Sequence, residues 1–263
     1  MYAFNYEHPK TLADASKLAK AGGQPLAGGQ TLLASMKQRL MQPEQLVDLR
    51  QIPELVGVRK EGEQLVIGAM TKHADVEHNA LVKQHIPALA ALAGGIGDRQ
   101  VRAMGTLGGS VANNDPAACY PSALMALGAT VHTDSRKISA QDFFLGMYAT
   151  ALNPGELITA VSFPIPKRAA YAKFKQGASR FAMVGVFVAE TAQGVRVAVT
   201  GASSGVFRHA GLEAALTKNF APEAVAGVAV DDAELNSDIH ASASYRAQLI
   251  KVQTRVAVQQ ALA

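Results

Sequence analysis

Hydrophobic positions in the first part of the chain switch between the two-residue period of strands and the longer period of amphipathic helices. Short apolar segments predict three strands, at Phe4–Glu7, Pro25–Ala27 and Gln45–Leu49. Helical spacing follows Thr11 and Thr31, and Thr11 with Asp14 three residues later resembles a capping box. The pattern therefore predicts a compact β-α-β-α-β lobe over residues 1–55.

The middle of the chain begins with a hairpin pattern, in which Val56–Arg59 and Gln64–Gly68 flank the turn dipeptide Glu61–Gly62. Two helices and two more strands follow, with helices at Pro87–Gly94 and Ala118–Gly128 and strands at Ala129–Thr133 and Leu157–Phe163. Two prolines in the run Pro164–Ala169 indicate a boundary. This pattern predicts a second lobe over residues 56–168.

The last part of the chain, residues 169–263, predicts a further domain. Three strands are predicted, at Tyr171–Lys175, Met183–Glu190 and Val195–Thr200, and Gln193–Gly194 between the last two favours a three-stranded antiparallel meander. The remainder is predicted to be helical, and Asp238 or Ser242 would cap the last helix. Apolar spacings of four, three and four predict the buried face of that helix, at Tyr245, Leu249, Val252 and Val256. Strands and helices together indicate an α/β or α+β class.

Composition excludes several classes of protein. The 263 residues are 49% apolar with a net charge of +4, which is typical of a globular chain. No apolar run approaches the roughly 20 residues of a membrane span, the start lacks a secretory pattern, and no basic stripe suggests nucleic-acid binding. The one cysteine, Cys119, cannot ligate an iron–sulfur cluster alone and fits a reducing, cytoplasmic location. His73, Asp75 and His78 lack further ligands nearby, so we expect no metal site.

Two glycine-rich loops are the strongest candidates for chemistry. The first consists of Ala27, Gly28, Gly29, Gln30, Thr31 and Leu32, and the second of Thr106, Leu107, Gly108, Gly109 and Ser110. Paired glycines before a helix let a phosphate approach backbone N–H groups, although each loop alone is more typical of a tight turn. Neither matches the Rossmann or P-loop fingerprint. Together they indicate a binder of a dinucleotide diphosphate with a different fold.

Several separated motifs carry a resemblance to a known family. They are LAGGQTLL at 26–33, LVDLR at 46–50, IGAMTKHA at 67–74, GTLGGSVANNDPAA at 105–118, GELITAVSFP at 155–164 and SDIHASASYRAQLIKV at 237–252. In this order they resemble the FAD-binding medium subunit of the molybdenum hydroxylases, which include carbon monoxide dehydrogenase, quinoline and aldehyde oxidoreductases, and the flavin domain of xanthine dehydrogenase. The resemblance covers essentially the whole chain.

The resemblance implies an α+β class: a two-lobed FAD-binding fold of the PCMH or vanillyl-alcohol-oxidase type, followed by a C-terminal α+β domain. It implies that both loops hold FAD, with Ile96 near the flavin end, Ile158 on the adenine side and Lys175 close to the cofactor. Phe181 stands where several relatives carry a tyrosine beside the isoalloxazine, and His73 would lie near the flavin. Cys119 stands where many relatives have an aspartate, and a thiol is a weaker hydrogen-bond acceptor than a carboxylate.

The function implied by the resemblance is electron transfer. A large partner subunit would carry the molybdenum cofactor and a small one [2Fe–2S] clusters, as a heterotrimer or its dimer, and the FAD of this chain would pass electrons to NAD or another acceptor. No acid–base catalytic residue is expected here. Two alternatives remain open at this point: a stand-alone FAD-dependent NAD(P)H reductase, and a flavin-free scaffold subunit.

Overall fold

The computed structural model describes all 263 residues, and its first elements surround a small parallel sheet. They are β1 (Asn5–Glu7), α1 (Leu12–Lys20), β2 (Gln24–Leu26), α2 (Leu32–Lys37) and β3 (Gln45–Asp48). The strand order is β1-β3-β2, so the central strand is the last of the three along the chain. Thr11 caps α1 by accepting a hydrogen bond from the Asp14 N–H. The predicted β-α-β-α-β order of this N-terminal lobe is confirmed.

The middle lobe is built on an antiparallel five-stranded sheet in the order β4-β5-β10-β6-β7. Its strands are β4 (Val58–Glu61), β5 (Gln64–Gly68), β6 (Thr130–Thr133), β7 (Lys137–Ser139) and β10 (Ile158–Pro164), and β8 (Phe144–Gly146) with β9 (Ala149–Thr150) forms a separate hairpin. Its helices are α3 (His73–His78), α4 (Ala80–His85), α5 (Pro87–Gly94), α6 (Arg99–Met104), α7 (Leu107–Asn113), α8 (Tyr120–Leu127) and α9 (Ala140–Phe143). Helix α7, which contains most of the second glycine-rich loop, packs on β10.

The C-terminal lobe contains the predicted meander with one short strand added. Its elements are β11 (Arg168–Lys175), β12 (Ala182–Thr191), β13 (Gly194–Thr200), β14 (Phe207–Arg208), α10 (Ala210–Lys218) and α11 (Ala243–Leu262). All neighbouring strands are antiparallel. Helix α11 packs on β11 and β12 over a core of aliphatic side chains, and α8 of the middle lobe packs against the same sheet.

The buried face of α11 differs from the predicted one. Ser242 caps the helix, but Tyr245 and Val252 are 44% and 40% exposed. Arg246 and Gln253 are buried in their place, each one position further along the helix. The Arg246 guanidinium donates to the carbonyl oxygens of Met183 and Gly201, which apolar spacing cannot reveal. A buried guanidinium that is held by two backbone carbonyls and by the Asp238 carboxylate therefore decides the rotation of this helix.

The fold class predicted from the resemblance, α+β with two lobes preceding a C-terminal α+β domain, is confirmed. The boundaries at residues 55 and 168 stay predictions. No helix of the structure combines the length and the apolar character needed to cross a membrane.

Candidate functional site

The first glycine-rich loop carries a run of backbone donors with no acceptor in the protein. It connects β2 to α2, and none of the N–H groups from Ala27 to Leu32 donates a hydrogen bond within the chain. Gly29 has a φ of 71°, in the left-handed region that favours glycine. The Gln30 side chain donates to the Gly28 carbonyl at 3.0 Å, which holds the turn. Six successive free donors can bind an anion with several oxygen atoms, such as a diphosphate.

The two loops lie against each other. A Cβ added to Gly28 would lie 2.3 Å from the Met104 carbonyl oxygen and 2.6 Å from the Gly105 Cα, immediately before the second loop. A Cβ added to Gly109 would lie 3.4 Å from the Ala27 Cβ. Segments almost 80 residues apart in sequence therefore meet through glycine surfaces, and one ligand can contact both.

The second loop uses its own donors inside the protein. The N–H groups of Leu107 and Gly108 donate to the carbonyl oxygens of Thr71 and Ala69, at 3.0 and 2.8 Å. The Gly109 N–H donates to the Thr106 hydroxyl at 3.1 Å, and the Ser110 N–H to the Thr106 carbonyl. The sequence led us to expect two sets of free amides, but of the second loop's amides only the Thr106 N–H is free, beside the surface of Gly109 and the free Ser110 hydroxyl. Its backbone serves to anchor the loop.

Ile96, the predicted contact at the flavin end, lies in a segment held by cationic side chains. The Arg102 guanidinium donates to the Ile96 carbonyl at 3.1 Å, and Arg180 of the C-terminal lobe donates to the Gly97 carbonyl at 3.3 Å. The Lys173 ammonium donates to the Gly95 carbonyl at 2.7 Å. Ile96 is half-buried against the middle core, so its position depends on both lobes.

Lys173 rather than the predicted Lys175 lies in the junction between the lobes. Lys175 is exposed at the end of β11, just after a shift in strand register. Its side chain makes no hydrogen bond or ion pair. Lys173 is half-buried and donates to Gly95, to the Arg180 carbonyl at 3.0 Å and towards the Cys119 sulfur at 3.5 Å. Sequence reasoning missed Lys173, although the two-residue period of a strand places both lysines on one face.

Ile158 and Phe181 occupy different surroundings. Ile158 is buried in β10, the strand on which α7 packs, and it belongs to the middle core. Phe181 is 48% exposed and lines a cavity of about 440 Å³ between the middle and C-terminal lobes. Tyr148 and Asp115 line the same cavity from the middle lobe. The structure therefore places these two predicted contacts in different parts of the molecule, one in a core and one at a cavity.

His73 lies directly beneath the second loop. Its backbone N–H donates to the Gly105 carbonyl at 2.9 Å. Its ring centroid lies 5.5 Å from that of the Tyr120 ring. Burial, with a smaller effect of the Arg102 charge, lowers the pKa of His73 to about 4, so the imidazole is neutral at pH 7. Its Nδ1 atom is buried without a partner. A neutral imidazole here supports the loop without adding a charge.

The side chains around the loops fit a dinucleotide such as FAD. The run of free N–H groups in the first loop suits the diphosphate, and the Thr31 and Ser110 hydroxyls have no partner in the protein. The glycine contacts between the loops leave no room for side chains there. Cys119, at the N-cap of α8, is 5% exposed and supplies only a weak acceptor. These features accommodate the cofactor that the resemblance implies.

Comparisons with known proteins agree with this site. Residues 2–166 match the family described as the FAD binding domain in molybdopterin dehydrogenase. The carbon monoxide dehydrogenase medium chain of Afipia carboxidovorans is 37% identical and is matched over 99% of this chain and 97% of that protein. The glyceraldehyde dehydrogenase medium chain of Sulfolobus acidocaldarius is 32% identical over 98% of each chain.

A solved structure gives the same result. In the reconstituted carbon monoxide dehydrogenase from Oligotropha carboxidovorans, a chain that is 33% identical superposes with a TM-score of 0.90, covering 99% of this chain and 98% of that one. The resemblance inferred from the sequence motifs is thereby confirmed. The chain belongs to the family of FAD-binding domains of molybdopterin dehydrogenases and is an oxidoreductase flavoprotein of the medium-subunit type.

Proposed function

We propose that this chain is the electron-transfer subunit of a molybdenum hydroxylase, and that it holds FAD between its two glycine-rich loops. The observation that carries the proposal is the run of free N–H groups from Ala27 to Leu32, lying against the second loop. When bound, FAD links one-electron donors to a two-electron acceptor.

The residues of this chain would bind and orient the cofactor. The first loop donates to the diphosphate, while Gly109 and Ser110 of the second loop contact adjoining groups. Ile96 packs at the flavin end, where Arg102 donates to its carbonyl and Arg180 donates to the carbonyl of Gly97. We retain Ile158 and Lys175 in the proposed set from the resemblance, with Ile158 acting through β10 beneath α7. None of these residues moves a proton, so we assign no acid–base catalyst.

Partners complete the proposed enzyme. Relatives are named as medium chains or medium subunits, which implies large and small companions in those enzymes. We infer that a large subunit with the molybdenum cofactor and a small subunit with [2Fe–2S] clusters assemble with this chain, as a heterotrimer or its dimer. One cysteine is too few to ligate a cluster here, which supports placing the clusters on a partner. NAD or another acceptor would receive the electrons, and the cytoplasm is the proposed location.

Reconstitution with FAD tests the cofactor assignment. The folded chain is incubated with FAD and passed through gel filtration, and we expect flavin absorbance to elute with the protein. A folded chain that elutes without flavin would contradict the proposal and favour a flavin-free scaffold.

Purification from the native host tests the assembly. We expect a large and a small polypeptide to co-elute with this chain. A chain that elutes with neither companion and that turns over NAD(P)H by itself would instead indicate a stand-alone reductase.

A further inference from the structure

Lys173 connects two segments that precede and follow the second glycine-rich loop. Its ammonium donates to Gly95, ten residues before the loop-anchoring Gly105, and reaches the Cys119 sulfur beyond α7. The third acceptor is the carbonyl of Arg180, in the turn that follows β11. Lys173 therefore extends from the C-terminal lobe into the junction where the resemblance places the flavin end.

The charge of Lys173 has no carboxylate partner. It takes part in none of the ion pairs of the structure, and its three acceptors are two carbonyl oxygens and a thiol. By contrast Arg102, which serves the neighbouring carbonyl, is paired with Glu77 at 3.0 Å. A half-buried ammonium without a counter-ion attracts negative charge more strongly than a paired one, since the local dielectric constant is lower than that of water.

A second unsatisfied group lies on the same face of β11. The Tyr171 hydroxyl is buried and has no hydrogen-bond partner. Gly185 lies opposite Lys173 in the strand register. It makes room for the Tyr171 hydroxyl, because a Cβ at position 185 would lie 2.4 Å from the Tyr171 oxygen. Burial raises the pKa of Tyr171 well above its ordinary value, so the hydroxyl keeps its proton. Tyr171 and Lys173 therefore lie on one face of β11, and both adjoin Cys119.

We propose that Lys173 supplies positive charge to the reduced flavin, and that Cys119 sets the reduction potential by leaving this charge uncompensated. This inference rests on the proposed function. With Cys119 rather than a carboxylate beside it, Lys173 keeps its positive charge available to stabilise electrons that arrive on the cofactor. A carboxylate at the same position would neutralise the ammonium and make reduction less favourable.

Potentiometric titration of the FAD-loaded full chain tests the proposal. Cys119→Asp is compared with Cys119→Asn, a neutral side chain of the same shape. We expect Cys119→Asp to lower the midpoint potential by at least about 30 mV. For a two-electron couple this corresponds to a tenfold change in the ratio of oxidised to reduced flavin. Cys119→Asn should keep the midpoint of the native chain.

Lysine substitutions provide an independent readout that does not place a carboxylate in a buried position. Lys173→Met should lower the midpoint potential, and Lys173→Arg should keep it within a few-fold change of the ratio of oxidised to reduced flavin. Lys218→Met, at an exposed lysine of α10, should leave the midpoint unchanged. If Lys173 only holds the lobes together, Lys173→Met will weaken FAD binding in a fluorescence titration while the midpoint of the bound fraction stays constant.

The outcomes separate the two proposals. A native chain that takes up no FAD contradicts the proposed function and this inference together. If the native chain binds FAD but the midpoint is the same in Lys173→Met as in Lys218→Met, this inference alone is contradicted. Equal midpoints in Cys119→Asp and Cys119→Asn would show that Lys173 does not respond to a charge at position 119.

Discussion

Gly28→Ala tests whether the contact between the two loops holds the cofactor. The added methyl would lie 2.3 Å from the Met104 carbonyl oxygen and 2.6 Å from the Gly105 Cα, whereas ordinary contacts begin at 3.4 Å. Both neighbours are backbone atoms, so no side chain can rotate away. The loops must therefore separate by about 1 Å, and overpacking of this kind costs about 1–3 kcal/mol.

The cost should appear mainly in FAD binding. In the free chain the loops can relax apart, but a cofactor that contacts both requires their native separation. Since about 1.4 kcal/mol corresponds to a tenfold change in affinity, we expect the Kd for FAD to rise about fivefold to a hundredfold. Titration of flavin fluorescence against the folded chain gives this value directly.

Gly227→Ala is the matched control. No atom lies within 4 Å of a Cβ added at Gly227, and its backbone is outside the left-handed region. This variant should bind FAD like the native chain. If Gly28→Ala and Gly227→Ala bind FAD with equal affinity, the cofactor does not depend on the approach of the two loops, and the proposed site is wrong.

Two further predictions concern stability against pH, measured by urea unfolding across a pH series. Hydrogen bonds from Arg136 hold the pKa of buried Glu156 far below its usual value, so the stability that this carboxylate contributes is present above pH of about 4.3 and is lost as pH falls. Glu156→Gln should therefore lower the free energy of unfolding at pH 7 and unfold with a shallower acid dependence. Burial lowers the pKa of His73 to about 4, so the unfolded chain binds a proton that the native chain does not, and stability falls between pH of about 6.5 and 4. His73→Gln should lose less stability than the native chain over that window. If Glu156→Gln or His73→Gln has the same acid slope as the native chain, the role assigned to that residue is contradicted.

Local sequence determined the order of elements and the two loops. Alternating and helical periods depend on residues a few positions apart, so the strands of the N-terminal lobe and the meander were predictable from the sequence. The cap at Thr11 was predictable for the same reason, because its partner Asp14 lies three residues away. Paired glycines identify both loops from the order of residues alone.

The contacts that make a site out of these loops were decided by tertiary structure. Gly28 lies against Met104 and Gly105 only because two lobes pack together. The N–H groups of Leu107 and Gly108 are engaged only because the distant carbonyl oxygens of Thr71 and Ala69 accept from them. The face of α11 depended on backbone acceptors for Arg246, which apolar spacing does not encode.

The two lysines of β11 show the same division most clearly. The strand period places Lys173 and Lys175 on one face, and the sequence alone does not distinguish them. In the folded chain Lys173 lies in the junction between the lobes and Lys175 extends into solvent beyond a shift in register. The sequence determines which chemical groups are present and which local elements carry them. The packing of distant segments determines which of the two charges is partly withdrawn from water, because burial depends on contacts far apart in the sequence.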